Sequence, residues 1–341
     1  MSSPAPKQMV FMGSDVITLP ILEYLWEERE RVVLTAIYTQ PDRARGRGKK
    51  IQPNAIKVWA QEKEIPVFQP EQFDEQAIQE LSELNPDLIL VMAYGHLLPK
   101  PVLELPKLGI YNIHTSLLPA LRGASPIETA VASGYKESGV SLMRLVMKMD
   151  AGPVFDRESI SISDIETGGG FREKLAEASP RVLERNLSSM LDGSILSTEQ
   201  NDEEVSYCRL LVKQDGQLDF SKSAEYLAHR INGLFPWPGC SAQLDGVMIK
   251  FGLAAFEDAD QSFESGVVFE GDTSCVRIGT GQGVLRVLQL QRPGGKMLPA
   301  EAFLLGNPIA SGERFLSREM HSLVSPKPVS HKRVFQLYTK P

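Results

Sequence analysis

Residues 87–93 (DLILVMA) are the stretch that most restricts how this sequence can fold. After Asp87 the run is apolar without a break, short, and lacks the in-out alternation of a half-exposed strand. Such a run is a strand buried on both faces of a parallel sheet. Parallel neighbours need helical crossovers, and the flanking sequence supplies them. Residues 9–12 read as a strand that turns at Gly13-Ser14-Asp15 into a helical run carrying Leu19, Leu22 and Leu25. A second strand at 33–39, a helix at 54–63, a strand at 66–68 and a helix with Ile78, Leu81 and Leu84 on one face continue the alternation. The expectation is an α/β fold: a Rossmann-like, mostly parallel sheet with helices on both faces. No G-x-G-x-x-G follows the first strand, which removes the main support for a dinucleotide site.

In open α/β sheets ligands collect at the carboxyl edge of the strands, so Ala93, Tyr94 and Gly95 are candidate lining residues. His96 beside them reads as a loop or helix-start residue rather than a catalyst. Residues 109–123 (GIYNIHTSLLPALRG) place an amide and an imidazole at the end of another apolar run. Period-2 alternation puts Ile110, Asn112 and His114 on one face. A fixed amide can donate to an oxygen that becomes negative during acyl transfer, and an imidazole can take and return a proton. Asp150, in MKMDAGPV beyond the strand-like run 140–146, is the candidate to orient the imidazole. Ser116 lies close in sequence, but a Ser-His triad needs more than sequence proximity. Singly, each has a plainer reading: Asn112 and Asp150 as turn caps, His114 as a half-buried, satisfied histidine. Together they favour a site without a metal.

With 36 Lys and Arg against 43 Asp and Glu, the net charge is −7, which argues against a chain that binds nucleic acid over its whole surface. The exception is local: QPDRARGRGKK packs Arg43, Arg45, Arg47, Lys49 and Lys50 around glycines. That segment cannot bury a core of its own, and in a generic protein it is a solvated surface loop. Three widely spaced cysteines, Cys208, Cys240 and Cys275, fit neither a disulfide framework nor metal spacing, and are expected to be reduced and buried. The polar start and the absence of an apolar run near 18 residues point to a cytoplasmic protein with no membrane span.

Apolar residues recur at helical spacing over 171–191, and Ser125-Pro126-Ile127-Glu128 has the form of a capping box ahead of a helix that Gly134 would stop. An acidic, core-poor stretch then reads as a linker. Beyond a helix near 221–232, strand-like pieces at 243–250, 266–269, 275–279 and 284–289, separated by Gly- and Asp-bearing turns, suggest an open β-barrel. G-T-G-Q-G at 279–283 is a hairpin turn rather than a phosphate loop. The expected division is a catalytic domain at 8–191, a linker at 192–212, a barrel at 213–316 and a basic tail at 317–341.

The run N-x-H-x-S-L-L-P, then R-G-A-x-P-I, then D-x-G, together with QPDRARGRGKK, VFQP, MAYGHLLP and FPWPG, resembles the 10-formyltetrahydrofolate-dependent formyltransferases, and within them the branch that formylates methionyl-tRNA. That resemblance implies an enzyme with 10-formyltetrahydrofolate as co-substrate, initiator Met-tRNA as acceptor, no metal, and a monomer working in the cytoplasm. It implies catalytic roles for Asn112, His114 and Asp150, and folate contacts from Ser116, Leu117, Leu118, Pro119, Ala93, Tyr94 and Gly95. The tRNA would be held by Arg43, Arg45, Arg47, Lys49 and Lys50 and, on an oligonucleotide-binding (OB-like) barrel, by Lys296. The sequence departs from the family at Gly13-Ser14-Asp15, Leu121, Ala151 and Met297. Two rivals stay open: formyl transfer to a small amine such as an amino sugar nucleotide, and a folate- or RNA-binding protein with a dead site.

Overall fold

A computed structural model describes residues 5–45, 50–259, 263–269, 273–330, 333–334 and 337–338, leaving aside the side chains of 44, 45 and 50. β1 (Lys7–Met12) turns at Asp15, whose carboxylate accepts the Ile17 N–H at 3.0 Å, into α1 (Leu19–Glu27), which buries Ile21, Leu22 and Leu25. β2 (Val32–Tyr38) leads to two short arms, β3 (Arg43–Arg45) and β4 (Lys50–Gln52). α2 (Ala55–Glu62) starts at an Asn54 cap, β5 (Val67–Phe68) follows, and α3 (Glu75–Glu83) starts at an Asp74 cap. In each cap a side-chain oxygen takes one of the backbone N–H groups that a helix start leaves without an internal partner. β6 (Leu88–Val91) is buried at every residue, as an apolar run without alternation requires.

After α4 (Lys100–Leu103) come β7 (Ile110–His114), β8 (Arg122–Gly123), α5 (Pro126–Ala132), β9 (Glu137–Arg144), β10 (Val154–Ser161), α6 (Gly168–Ala178) and α7 (Pro180–Asp192). Seven strands form one sheet in the order β10-β9-β7-β6-β1-β2-β5. The pairs β1/β2, β1/β6, β2/β5 and β6/β7 are parallel, and β9 joins β7 antiparallel. The chain runs outward from β1 to β2 and β5, then returns to β6 on the other side of β1. That reversal opens a crevice at the carboxyl ends of β1 and β6, the place where such sheets take ligands.

The remaining elements are β11 (Tyr207–Cys208), α8 (Ala224–Gly233), β12 (Cys240–Leu244), β13 (Val247–Glu257), β14 (Val268–Phe269), β15 (Val276–Gly279), β16 (Val284–Gln291), β17 (Leu298–Pro299), α9 (Ala300–Gly306) and β18 (Val324–Ser325). β12-β13-β16-β15-β14 make an antiparallel sheet, with β17 against β16. Register shifts between Phe251 and Ala254 bend β13 against β16, as bulges do, and the curved sheet closes on a core with Leu227 and Ile231 of α8, Phe251, Leu285, Phe303 and Phe315. This is the OB-like half-barrel that the strand spacing suggested.

The chain divides into two compact units, Met1–Pro119 with Gly139–Ser159 and Glu173–Glu204, and Ala120–Ser138 with Ile160–Arg172 and Val205–Pro341. The parallel sheet belongs to the first. In the second, α5 packs on α8 so closely that a Cβ on Gly233 would stand 2.1 Å from the Ala132 nitrogen. Cys208, Cys240 and Cys275 are buried free thiols, and burial pushes the Cys240 thiol up to about 12. Among the described residues no helix is long and apolar enough to cross a membrane.

Three local expectations need correction, and a fourth gains detail. The helix expected over 171–191 is two helices, α6 and α7, because Pro180 lacks the N–H that would continue the first and instead begins the second. The strand expected at 243–250 is a hairpin: Asp245 and Gly246 take φ of +44° and +79°, and β12 and β13 pair across them. The capping box at Ser125 does not form. Ser125 makes no side-chain cap bond, and Glu128 is held 2.7 Å from Arg172. The Gly-rich basic segment has paired arms, Arg43 opposite Gln52 and Arg45 opposite Lys50. They are rooted at Asp42, which lies 2.7 Å from the Lys57 ammonium and accepts from Gln69 at 2.8 Å. The Lys57 bond holds the Asp42 carboxyl below the usual carboxylate range.

Candidate active site

β7 carries the candidate pair, and its start is fixed by one arginine. The Arg144 guanidinium donates to Leu108 O at 2.6 Å and lies 4.6 Å from the Tyr111 ring centroid. It occupies the space where a side chain at Gly109 (φ +83°) would be. Register pairs Asn112 with Val91 on one side and with Met143 on the other, and pairs His114 with Ser141. Tyr111 and Ile113 are 0% and 1% exposed, whereas Asn112 and His114 retain 8% and 7%. The residual opening therefore lies on the face that alternation assigned to the polar pair. Backbone pairing to β6 and β9 holds both residues in place along the strand.

Asp150 is brought to the same place. Its Oδ1 lies 3.8 Å from His114 Nδ1, with side-chain exposures of 14% and 7%, which is ion-pair range and longer than a hydrogen bond. Its φ of +48° is left-handed, in a turn closed by the Ala151 N–H donating to Lys148 O at 3.2 Å. Gly152 must be glycine there, since a Cβ would fall 1.9 Å from Arg144 O.

Residues 116–119 follow β7 with a cis Leu118–Pro119 bond. Ser141 Oγ donates to Ser116 O at 2.7 Å and accepts the Leu118 N–H at 3.0 Å, while Arg157 Nε donates to Leu118 O at 2.9 Å. Ser116 and Leu118 are 0% and 2% exposed, so of the four only Leu117 and Pro119 keep partial access. At the end of the neighbouring strand β6, Ala93 (φ +48°) and Gly95 (φ +81°) are exposed, and Tyr94 is buried. Ser14 fixes this wall: its N–H donates to Ala93 O at 3.2 Å and its hydroxyl to Tyr94 O at 3.1 Å. Burial, then the charge of Arg43, lowers the His96 pKa, and its ring lies 5.1 Å from Tyr94. His96 lies in the loop after β6, outside helix and strand.

The structure thus gathers Asn112, His114, Asp150, Ala93, Tyr94, Gly95 and residues 116–119 at one sheet edge. Arg43 is exposed and donates to Gln40 Oε1 at 2.9 Å. The arms carry Arg45 and Lys50, while Arg47 and Lys49 lie outside the described residues. Lys296 is exposed on the half-barrel. Sequence reasoning missed Ser141, Arg144 and Arg157. Ser141 had a signal, a hydroxyl inside the apolar run of β9, whereas the arginines had none.

Residues 7–187 match the family described as Formyl transferase, and residues 210–308 match Formyl transferase, C-terminal domain. The chain belongs to the formyl transferase family. A methionyl-tRNA formyltransferase of Ralstonia nicotianae is 40% identical over 297 residues, 84% of this chain and 91% of that one. One of Ectopseudomonas mendocina is 38% identical over 296 residues, 86% of this chain and 93% of that one. The fold is similar to that of a Helicobacter canadensis N-formyltransferase solved with folinic acid and dTDP-3-aminofucose, with a TM-score of 0.62, 16% identity, and coverage of 84% and 99%.

Proposed function

We propose that this chain moves the formyl group of 10-formyltetrahydrofolate to the α-amino group of methionine on initiator Met-tRNA, as a monomer in the cytoplasm. The observation that carries this reading is the 38–40% identity, across both units, to relatives named methionyl-tRNA formyltransferase. The sheet-edge geometry supports the chemistry. As the amine attacks, the formyl oxygen gains negative charge; the Asn112 amide donates to it, joined by the His114 Nε2–H once that nitrogen has taken the amine proton. Asp150 faces Nδ1 of His114 and leaves Nε2 to the reacting atoms, where it moves the amine proton to the departing N10 with a water. Leu117 and Pro119, with Ala93 and Gly95 at the end of β6, offer the accessible surface for the folate, while buried Ser116, Leu118 and Tyr94 shape it. Arg43, Arg45, Arg47, Lys49, Lys50 and Lys296 bind the RNA backbone.

The test offers the purified protein 10-formyltetrahydrofolate with Met-tRNA, with a dTDP-amino sugar and with water. Formyl-Met-tRNA as sole product, with KM rising steeply with salt, is the expected result. Formylation of the amino sugar alone refutes the tRNA assignment.

A further inference from the structure

The Asp150 turn is held from a segment that its sequence marks only as polar. Asp150 sits at φ +48°, a left-handed conformation that a tie from outside the turn helps to hold. Gln200 reaches it: one side-chain nitrogen, Nε2, donates to Asp150 O at 2.9 Å and to Gly152 O at 2.7 Å. The two carbonyls flank Ala151, so one amide spans the turn that aims the carboxylate at His114. Gln200 is itself placed by backbone pairing two residues earlier, where Thr198 and Val154 exchange N–H···O bonds of 2.8 and 2.9 Å. It lies between the two family-matched segments, which end at residue 187 and resume at residue 210.

We propose that Gln200 is a positioning residue for formyl transfer, clamping the Asp150 turn so that its carboxylate faces His114 Nδ1. The role rests on the reaction proposed above; the clamp does not. Misplacing a group by about 1 Å costs on the order of 100-fold in rate. Gln200→Leu, similar in size and without donors, is therefore expected to lower kcat about 10- to 100-fold while KM for folate and tRNA stays within about twofold. In an Asp150→Ala background the same substitution should change kcat less than about twofold, because the group it positions is gone.

Amide exchange at Ala151, measured without substrate, reads the clamp separately and should speed up about tenfold in Gln200→Leu. Gln200→Glu, which keeps a polar side chain at this half-buried position but turns an oxygen toward both carbonyls, should match Gln200→Leu in both readouts. Unchanged Ala151 exchange in both variants overturns the clamp. Faster exchange with unchanged kcat, or losses that add to those of Asp150→Ala, overturns the positioning role. A wild-type chain that formylates no acceptor counts against the reaction, and Ala151 exchange still decides the clamp.

Discussion

Replacing Ser141 by alanine removes one hydroxyl that ties two points of the loop after β7. The side chain is 0% exposed, so water does not already compete for its bonds. Its hydroxyl donates to Ser116 O at 2.7 Å, and such a bond contributes about 1 kcal/mol net. The other bond is the Leu118 N–H at 3.0 Å, and that buried donor loses its acceptor, at a cost of about 1–3 kcal/mol. The total is about 2–4 kcal/mol. For a unit of this size each kcal/mol moves Tm by roughly 2–4 °C, so Ser141→Ala is expected to melt about 5–15 °C lower. Circular dichroism melting gives the Tm, and equilibrium binding should show weaker folate affinity because the loop shapes that wall. A Ser141→Ala protein melting within about 1 °C of wild type, with unchanged folate affinity, refutes the assignment of Ser141 as the tie.

Four further outcomes follow from the same structure. Arg209 and Asp215 form a buried ion pair, 2% and 0% exposed, with NH1 to Oδ2 at 2.9 Å and Tyr338 donating to Asp215 as well. Arg209→Met leaves that carboxylate buried without its cation and should cost about 3–5 kcal/mol in urea unfolding, whereas Arg209→Met with Asp215→Leu should recover much of the loss. Burial first, then the charge of Lys136, lowers the His229 pKa below 6.5. The unfolded chain therefore takes the proton first, and the His229 share of stability, complete above about pH 6.5, is lost as pH falls through the folded pKa. Melting from pH 7.5 to 5 should fall more for wild type than for His229→Leu. Gly152→Ala forces a shift against Arg144 O and should lower kcat with folate binding retained, read by steady-state kinetics. Arg43, Arg45 and Arg47 replaced together by alanine should raise KM for Met-tRNA and flatten its salt dependence by about one slope unit per lost phosphate contact, leaving folate binding unchanged.

The central sheet was legible because burial on both faces leaves a plain record, apolar runs such as those of β6 and β7. Asn112 and His114 stood out for the same reason, as polar residues where the run should be apolar. Asp150 was legible by its place beyond a strand end. The break at Pro180 was hidden by apolar periodicity that continues across it, and the β12/β13 turn by strand-forming residues on both sides of Asp245 and Gly246. Ser141 and Gln200 act on backbone groups 25 and 50 residues away, and no local pattern records such a bond. Residues 192–204 read as a linker because polarity was visible and the pairing of Thr198 with Val154 was not.

The most direct measurement is the single-turnover rate of formyl transfer from 10-formyltetrahydrofolate to Met-tRNA in wild type, Asn112→Ala and His114→Ala. Loss of about 100- to 1000-fold in Asn112→Ala, the usual cost of one oxyanion donor, with a comparable loss in His114→Ala and folate still bound, is the predicted result. Either variant retaining most of the wild-type rate contradicts the assignment of this sheet edge as the site of the chemistry.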